Sequence, residues 1–376
     1  MNDRDLGRAL REVELPRPDR ERALAVVRAA FADRERVSWP RRHMRSLAPT
    51  AAAAAIVAGA LSPPGQAVLG SLRDAVGREG VKRASPALVA LPTSGRLLVQ
   101  SPKGPWIVQA DGSRRLLGSY RDSAWSPHGL FVAVARKNGL LAVEPGGRVR
   151  WALARRDVRF PRWAGSVTDT RIAYLAGNRL RVVAGDGTHD RELCGGLQAA
   201  PVPPAWKPGR GWQLAYVTKR GRVEVVDTET CAVTWRSAQF PAPRLIDWSA
   251  DGTRLALVTA DRLVVYAGAR RLVRTIRGVV AASFAPAGDE LAVVQAGRLL
   301  LFDAYSLRHP PRRIFAAAGH FDSVAWSPDG RWLLLSWPAA DQWLFLRATG
   351  KKLLAYSRVT EQFGGRAYPQ LRGWCC

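Results

Sequence analysis

Between residues 123 and 337 one short phrase returns six times: an aromatic residue, a turn built from Ser, Pro, Asp or Gly, and an apolar run. The copies are "SAWSPHGLFVAVA" (123–135), "PRWAGSVTDTRIAYLA" (161–176), "PAWKPGRGWQLAYVT" (204–218), "IDWSADGTRLALVT" (246–259), "ASFAPAGDELAVVQ" (282–295) and "DSVAWSPDGRWLLLSW" (322–337). Their aromatic anchors, Trp125, Trp163, Trp206, Trp248, Phe284 and Trp326, are spaced by 38, 43, 42, 36 and 42 residues. A period near ~40 residues, with short apolar runs and turn signals instead of helical periodicity, is the length of one four-stranded propeller blade. Each unit reads as an inner strand ending at the aromatic, a tight turn, a second strand such as 254–259, and a third strand such as 222–227 or 298–303.

The residue types fit those roles. Asp251-Gly252 and Asp329-Gly330 suit tight hairpins, because Gly takes positive φ without steric cost and Asp tolerates it. Ser126-Pro127 and Ser327-Pro328 fix φ on entry to the turn, where no ladder donor is needed. A Trp presents a broad apolar face to wedge between neighbouring blades, which makes the phrase architectural.

The chain ends "RAYPQLRGWCC", where Trp374 closes an inner strand with no second strand after it. Residues 94–120, conversely, contain a second, third and fourth strand with no aromatic inner strand before them. Joining the two completes a seventh blade and removes the exposed sheet edge. The fold expected is all-β, a seven-bladed β-propeller closed by the C-terminal strand and anchored by Trp125, Trp163, Trp206, Trp248, Phe284, Trp326 and Trp374.

The repeats "AWSPDG", "AWSPHG" and "DWSADG" resemble the WD40-like (PD40) propeller repeats of TolB-type periplasmic proteins, over about 280 residues of the chain. "RWAGSV" and "SFAPAG" depart from that pattern, and Val226 stands before Asp227 where a true WD40 repeat has Trp. The layout as a whole resembles actinobacterial single-pass membrane propeller proteins. The resemblance implies protein or ligand binding and no chemistry.

Ahead of the propeller, residues 1–45 read as a cytosolic helical head. Leu24, Val27 and Phe31, with Ala23, Val26 and Ala30, recur at helical spacing, so the second helix is amphipathic. That face either packs on its own neighbour or docks a partner helix. Residues 46–72 carry no charge and lie between Arg45 and Arg73. Crossing a bilayer takes a helix of roughly 20 residues, so the stretch reads as a single transmembrane anchor that continues past Pro63 and Pro64. A leader cut after Ala60 and a buried soluble helix are the alternatives. Arginines are slightly denser before the stretch than after it, which leans toward a cytoplasmic N-terminus and an extracytoplasmic propeller. Residues 73–89 are the stalk and 90–376 the propeller.

With 57 Lys and Arg against 31 Asp and Glu, the net charge is +26, an excess that attracts polyanions at long range. No compact run of Lys or Arg with interleaved aromatics appears, so nucleic acid is not the expected partner; an anionic surface or wall polymer is compatible. Cys194, Cys231, Cys375 and Cys376 form no CxxC pair, and no zinc site is expected. Cys194 at the far end of one outer strand and Cys231 at the start of the next would sit near opposite rims, so no bond between them is expected.

There is no G-x-S-x-G, and His43, His128, His189, His309 and His320 are scattered. "GDGTHD" (185–190) reads as a solvated turn with no cation. The chain is therefore expected to be a non-enzymatic, cofactor-free and metal-free platform, tethered to the cell membrane, for a protein or cell-envelope ligand. The alternative is a transmembrane regulator whose cytosolic helix binds a sigma factor, though the head lacks the Cys needed for a familiar zinc-bearing anti-sigma domain.

Overall fold

The computed structural model describes residues 76–77, 80–81, 83–166, 168–209, 211–268, 271–286 and 290–376. The amphipathic head (1–45) and the uncharged stretch (46–72) lie outside the described residues. Among those described, no helix is long and apolar enough to cross a membrane.

Seven four-stranded antiparallel sheets follow one another along the chain, together with a two-stranded hairpin, Val76–Gly77 with Gly80–Val81. We number the blades in chain order and letter their strands A to D from the axis outward. Blade 1 is composite: strand A is Gln370–Cys375, and B, C and D are Arg96–Ser101, Gly104–Val108 and Arg114–Leu116. Leu97 pairs with Trp374 and Arg96 with Cys375, so the last strand completes the first sheet. The blades built on "RWAGSV" and "SFAPAG" are four-stranded like the others.

Strands B and C form the core because they are sandwiched between neighbouring blades on both faces. Their sequences are accordingly continuous apolar runs without alternation, such as Val132–Arg136 and Trp332–Trp337. The outer strands read differently: Val149–Ala154 alternates between exposed and half-buried positions, as a strand with one wet face must.

This topology defines two rims. The A–B and C–D turns lie at one end of the ring, the turn rim; the B–C hairpins and D–A loops lie at the other, the loop rim. On the turn rim Gly252 and Gly330 take φ of 67° and 65°, as the Asp-Gly reading requires. A further lock is the buried serine. The Ser327 hydroxyl donates to Asp329 Oδ1 at 2.5 Å and accepts from the Trp332 N–H at 2.9 Å, and Ser249 does the same with Asp251 and Arg254.

Blade 3 (strands Val158–Gly165, Thr170–Ala176, Arg179–Ala184 and Arg191–Glu192) overturns two expectations. Its strand D has only two residues, paired with Arg181 and Val182 in the middle of strand C, and the chain then breaks into a 3₁₀ turn, Leu193–Gly195. Cys194 thus stops short of the loop rim, beside the C–D turn of blade 4. Cys194 and Cys231 are bonded, with Cα atoms 5.3 Å apart. Arg191 supports the same junction by donating to the Thr228 carbonyl at 2.7 Å. Nor is the 185–190 turn wholly solvated. Asp186 accepts from Thr188 at the surface, but the Asp190 side chain is only 5% exposed and is gripped by Arg155 at 2.6 Å, Arg181 at 2.7 Å and the Tyr174 hydroxyl at 2.6 Å. The other two cysteines, Cys375 and Cys376, are bonded to each other beside Ser126 and Pro127.

Candidate functional site

A cleft of about 400 Å³ lies at the turn rim between blades 2 and 3. Blade 2 contributes the A–B turn around Ser126 to Phe131 and Trp151 from strand D; blade 3 contributes Trp163, Thr170 and the 185–186 turn. Phe131 stacks on Trp163 with ring centroids 6.1 Å apart and an interplanar angle of 17°. Trp151 is held by donation from its indole N–H to the Gly185 carbonyl at 2.9 Å. Gly187 is required beneath it: its φ is 88°, and a Cβ there would lie 2.8 Å from the indole ring. Leu130 stands at the lip, 61% exposed. Arg150 and Asp186 add opposite charges to an aromatic interior. The Asp186 carboxyl is held below its usual range, first by the Thr188 hydroxyl and then by the Thr188 N–H. Aromatic walls flanked by Ser126, His128, Ser166 and Thr170 as well as the two charges can take an apolar group with polar groups beside it.

The seven repeat aromatics are not gathered into this cleft. They stand one per blade at or near the ends of the inner strands, and only Trp163 lines the cleft. Trp206 and Trp326 reach backward, donating at 3.0 Å to the carbonyls of Arg162 and Ser283 in the preceding blade. Trp374 meets Phe345 of blade 7 edge-on at 5.5 Å, across the closure. The indole N–H groups of Trp125, Trp163, Trp248 and Trp374 make no hydrogen bond.

A second charged feature, unseen in the sequence, links the inner strands of several blades. Arg372 from blade 1 lies 3.3 Å from Asp122 of blade 2, whose other oxygen accepts from the Phe160 N–H of blade 3 at 2.9 Å. Arg162 of blade 3 acts on both Asp122 and Asp247, and burial lowers its own pKa. Asp247 of blade 5 is pushed up to about 6 by burial, against the Trp248 N–H, the Arg162 charge and the Phe284 N–H, which favour its ionised form. These residues lie far apart in sequence, so only the ring brings them together.

The loop rim holds an open hollow lined by Arg121, Lys137, Arg155, Arg156, Asp157 and Arg159. The basic cluster absent from any single run of sequence is thus assembled from three separate segments. Asp157 is within 2.8 Å of Arg159 and 3.6 Å of Arg121. Among the described residues no group of three or more His, Cys, Asp or Glu is placed to hold a metal ion. His128 and His189 lie in separate turns of blades 2 and 3, and His309 and His320 flank the outer strand of blade 6.

No protein-family model matches the chain, and no curated protein matches it. Solved structures do. A chain of the crystal structure of the mitotic checkpoint complex is similar with a TM-score of 0.53 at 18% identity, covering 71% of this chain and 91% of that one. Hsv2 of Kluyveromyces lactis gives 0.51 at 16% identity, over 74% and 94%. The same protein with loop 6CD replaced by a Gly-Ser linker gives 0.52 at 15%, over 76% and 98%. At these identities the likeness shows the fold alone, a β-propeller.

Proposed function

We propose that the chain is a non-catalytic binding platform, tethered to the cell membrane through residues 46–72, whose propeller faces outward and takes a protein or cell-envelope ligand. The cleft between blades 2 and 3 carries this reading. It sets the rigid aromatics Phe131, Trp151 and Trp163 beside the exposed Leu130, an arrangement suited to anchoring an apolar side chain of a partner. The likeness to a chain of an assembled complex and the TolB-type form of the repeats point the same way.

A photo-crosslinking residue at position 130 in the full chain tests the site, with position 272, an equally exposed leucine on the outer edge of blade 5, as control. A partner crosslinked through 130 and lost when Trp151→Ala is added is expected. Equal labelling through both positions would remove the cleft from the account. Protease protection in intact cells tests the placement: cleavage of the propeller only after lysis would contradict an outward-facing domain.

A further inference from the structure

The loop rim is basic in every blade, whereas the turn rim mixes acids with cations. On the turn rim each blade has a carboxylate: Asp111, Glu144, Asp186, Asp227, Asp251, Asp303 and Asp329. Most are there because the turn is made by them. Asp111 Oδ1 accepts from the Ser113 N–H and hydroxyl, Asp227 Oδ1 from the Glu229 and Thr230 N–H groups, and Asp303 Oδ1 from the Tyr305 and Ser306 N–H groups. At the B–C hairpins and D–A crossings each blade has an exposed cation: Lys103, Lys137, Arg179, Arg220, Arg277, Arg298 and Arg358, of which Arg179 is paired with Glu192.

Of the loop-rim acids, Asp157 is paired with Arg159 and Asp261 with Arg262, while Asp341 is engaged by Thr360; Asp322 and Glu361 also lie there. The turn rim carries cations as well: Arg148 is paired with Glu144 and Lys207 lies over the Trp248 ring, while Arg271, Arg308, Arg331, Lys351 and Lys352 are exposed there.

The chain also enters the propeller at the basic end. Val81 is clamped to Gln342, the first residue of blade 7 strand C, by N–H donation at 2.8 Å and by return donation to its carbonyl at 3.1 Å. Ser85 then bridges to Tyr356 at the loop-rim end of strand D, and only later does Thr93 reach Asp329 on the turn rim. The chain thus first meets the propeller at its loop-rim end, at Val81.

From this pairing of charge and chain entry, we infer that the loop rim docks against an anionic phospholipid surface, leaving the turn rim and its aromatic cleft pointing away from the membrane. The inference rests on the reading of residues 46–72 as an anchor, which brings the basic end within reach of lipid headgroups. Polybasic surfaces close to an anchored segment are held by anionic lipid and released by salt.

The lysines supply a built-in test. Lys103, Lys137 and Lys219 lie on the loop rim, and Lys351 and Lys352 on the turn rim; all are exposed. The full chain is placed in nanodiscs of phosphatidylcholine, with or without phosphatidylglycerol, and its lysine acylation rates are read by mass spectrometry. Anionic lipid is expected to slow Lys103, Lys137 and Lys219 several-fold, to leave Lys351 and Lys352 unchanged, and to lose this effect at high salt. Uniform rates in both lipids, or protection of Lys351 and Lys352 instead, overturn the docking. Protection of the loop-rim lysines by soluble polyphosphate but not by lipid overturns it in favour of a soluble polyanion. Flotation of the full chain with neutral vesicles in high salt reports the anchor separately. Failure there, with loop-rim lysines still protected by anionic lipid, removes the anchor and leaves the docking surface.

Discussion

In blade 7 strands B and C, Trp332–Trp337 and Gln342–Arg347, bury almost every side chain, and Trp337 and Trp343 are fully enclosed. Blade 3 ends in a two-residue outer strand, and its edge is fastened by the Asp190 cluster, by Arg171 paired with Glu229, and by the Cys194–Cys231 bond. Blade 7 carries the fullest copy of the repeat phrase and blade 3 one of the poorest. Where the phrase is intact, apolar packing suffices; where it decays, polar and covalent ties stand in for missing strand. Arg155 crosses from the D–A loop of blade 2 to reach Asp190, so these ties act between blades as well as within one.

The comparison can be broken by measurement. Trp337→Ala should be the costliest change, about 3–5 kcal/mol by chemical denaturation, because a fully enclosed ring that packs on Phe321 at 5.1 Å leaves a cavity that cannot collapse. Replacing Cys194 and Cys231 together by Ser should cost about 2–4 kcal/mol, the range for a bond closing a loop of this length. A disulfide loss larger than the tryptophan loss would mean that blade 3, not blade 7, dominates the ring's stability.

A smaller effect should come from Asp190→Asn, about 2 kcal/mol at neutral pH, since Arg181 would be left with a weaker partner in a mostly buried site. Burial raises the Asp190 carboxyl, but hydrogen bonds from Arg181, Tyr174 and Arg155 outweigh it, and the net pKa is lowered. A depressed carboxyl contributes stability that is present above its unfolded pKa and lost as pH falls through its folded one. The variant should therefore lose part of the wild-type acid limb below about pH 4. An unchanged acid limb would show that the cluster is not a fastening.

Asp247→Asn should do the opposite, adding about 1 kcal/mol at neutral pH. With the folded carboxyl near 6 and the unfolded one near its model value of 3.8, the native state holds the extra proton between them. Wild-type stability should then fall as pH rises through that window, and the variant should stay flat. Asp247 is only half-buried, which is why the expected gain is modest.

The ring itself was legible in the sequence, because aromatic spacing and the incomplete units at either end are one-dimensional signals. Pairing of Leu97 with Trp374 follows from them directly. The Cys194–Cys231 bond was not legible. It depends on how early strand D of blade 3 stops, and that is set by contacts from Arg155 in another blade and Arg181 in a neighbouring strand. Serines 249 and 327 stood in the quoted phrase, but their hydroxyl bonds to Asp251 and Asp329 belong to the folded turn. The aromatic cleft escaped for the same reason: Phe131 and Trp151 belong to blade 2 and Trp163 to blade 3, and none is unusual alone. The basic character of the loop rim needs only strand order once the ring is accepted.

Pairing of the final strand with Arg96–Ser101 also has a consequence in time. A ribosome adding ~5–20 residues per second delivers Trp374 on the order of tens of seconds after Leu97. Throughout that interval the inner edge of Arg96–Ser101 has backbone donors and acceptors without their eventual partner. The nascent chain must keep that edge from recruiting a strand of another copy, so growth conditions that slow elongation should favour swapped or aggregated product over the closed monomer.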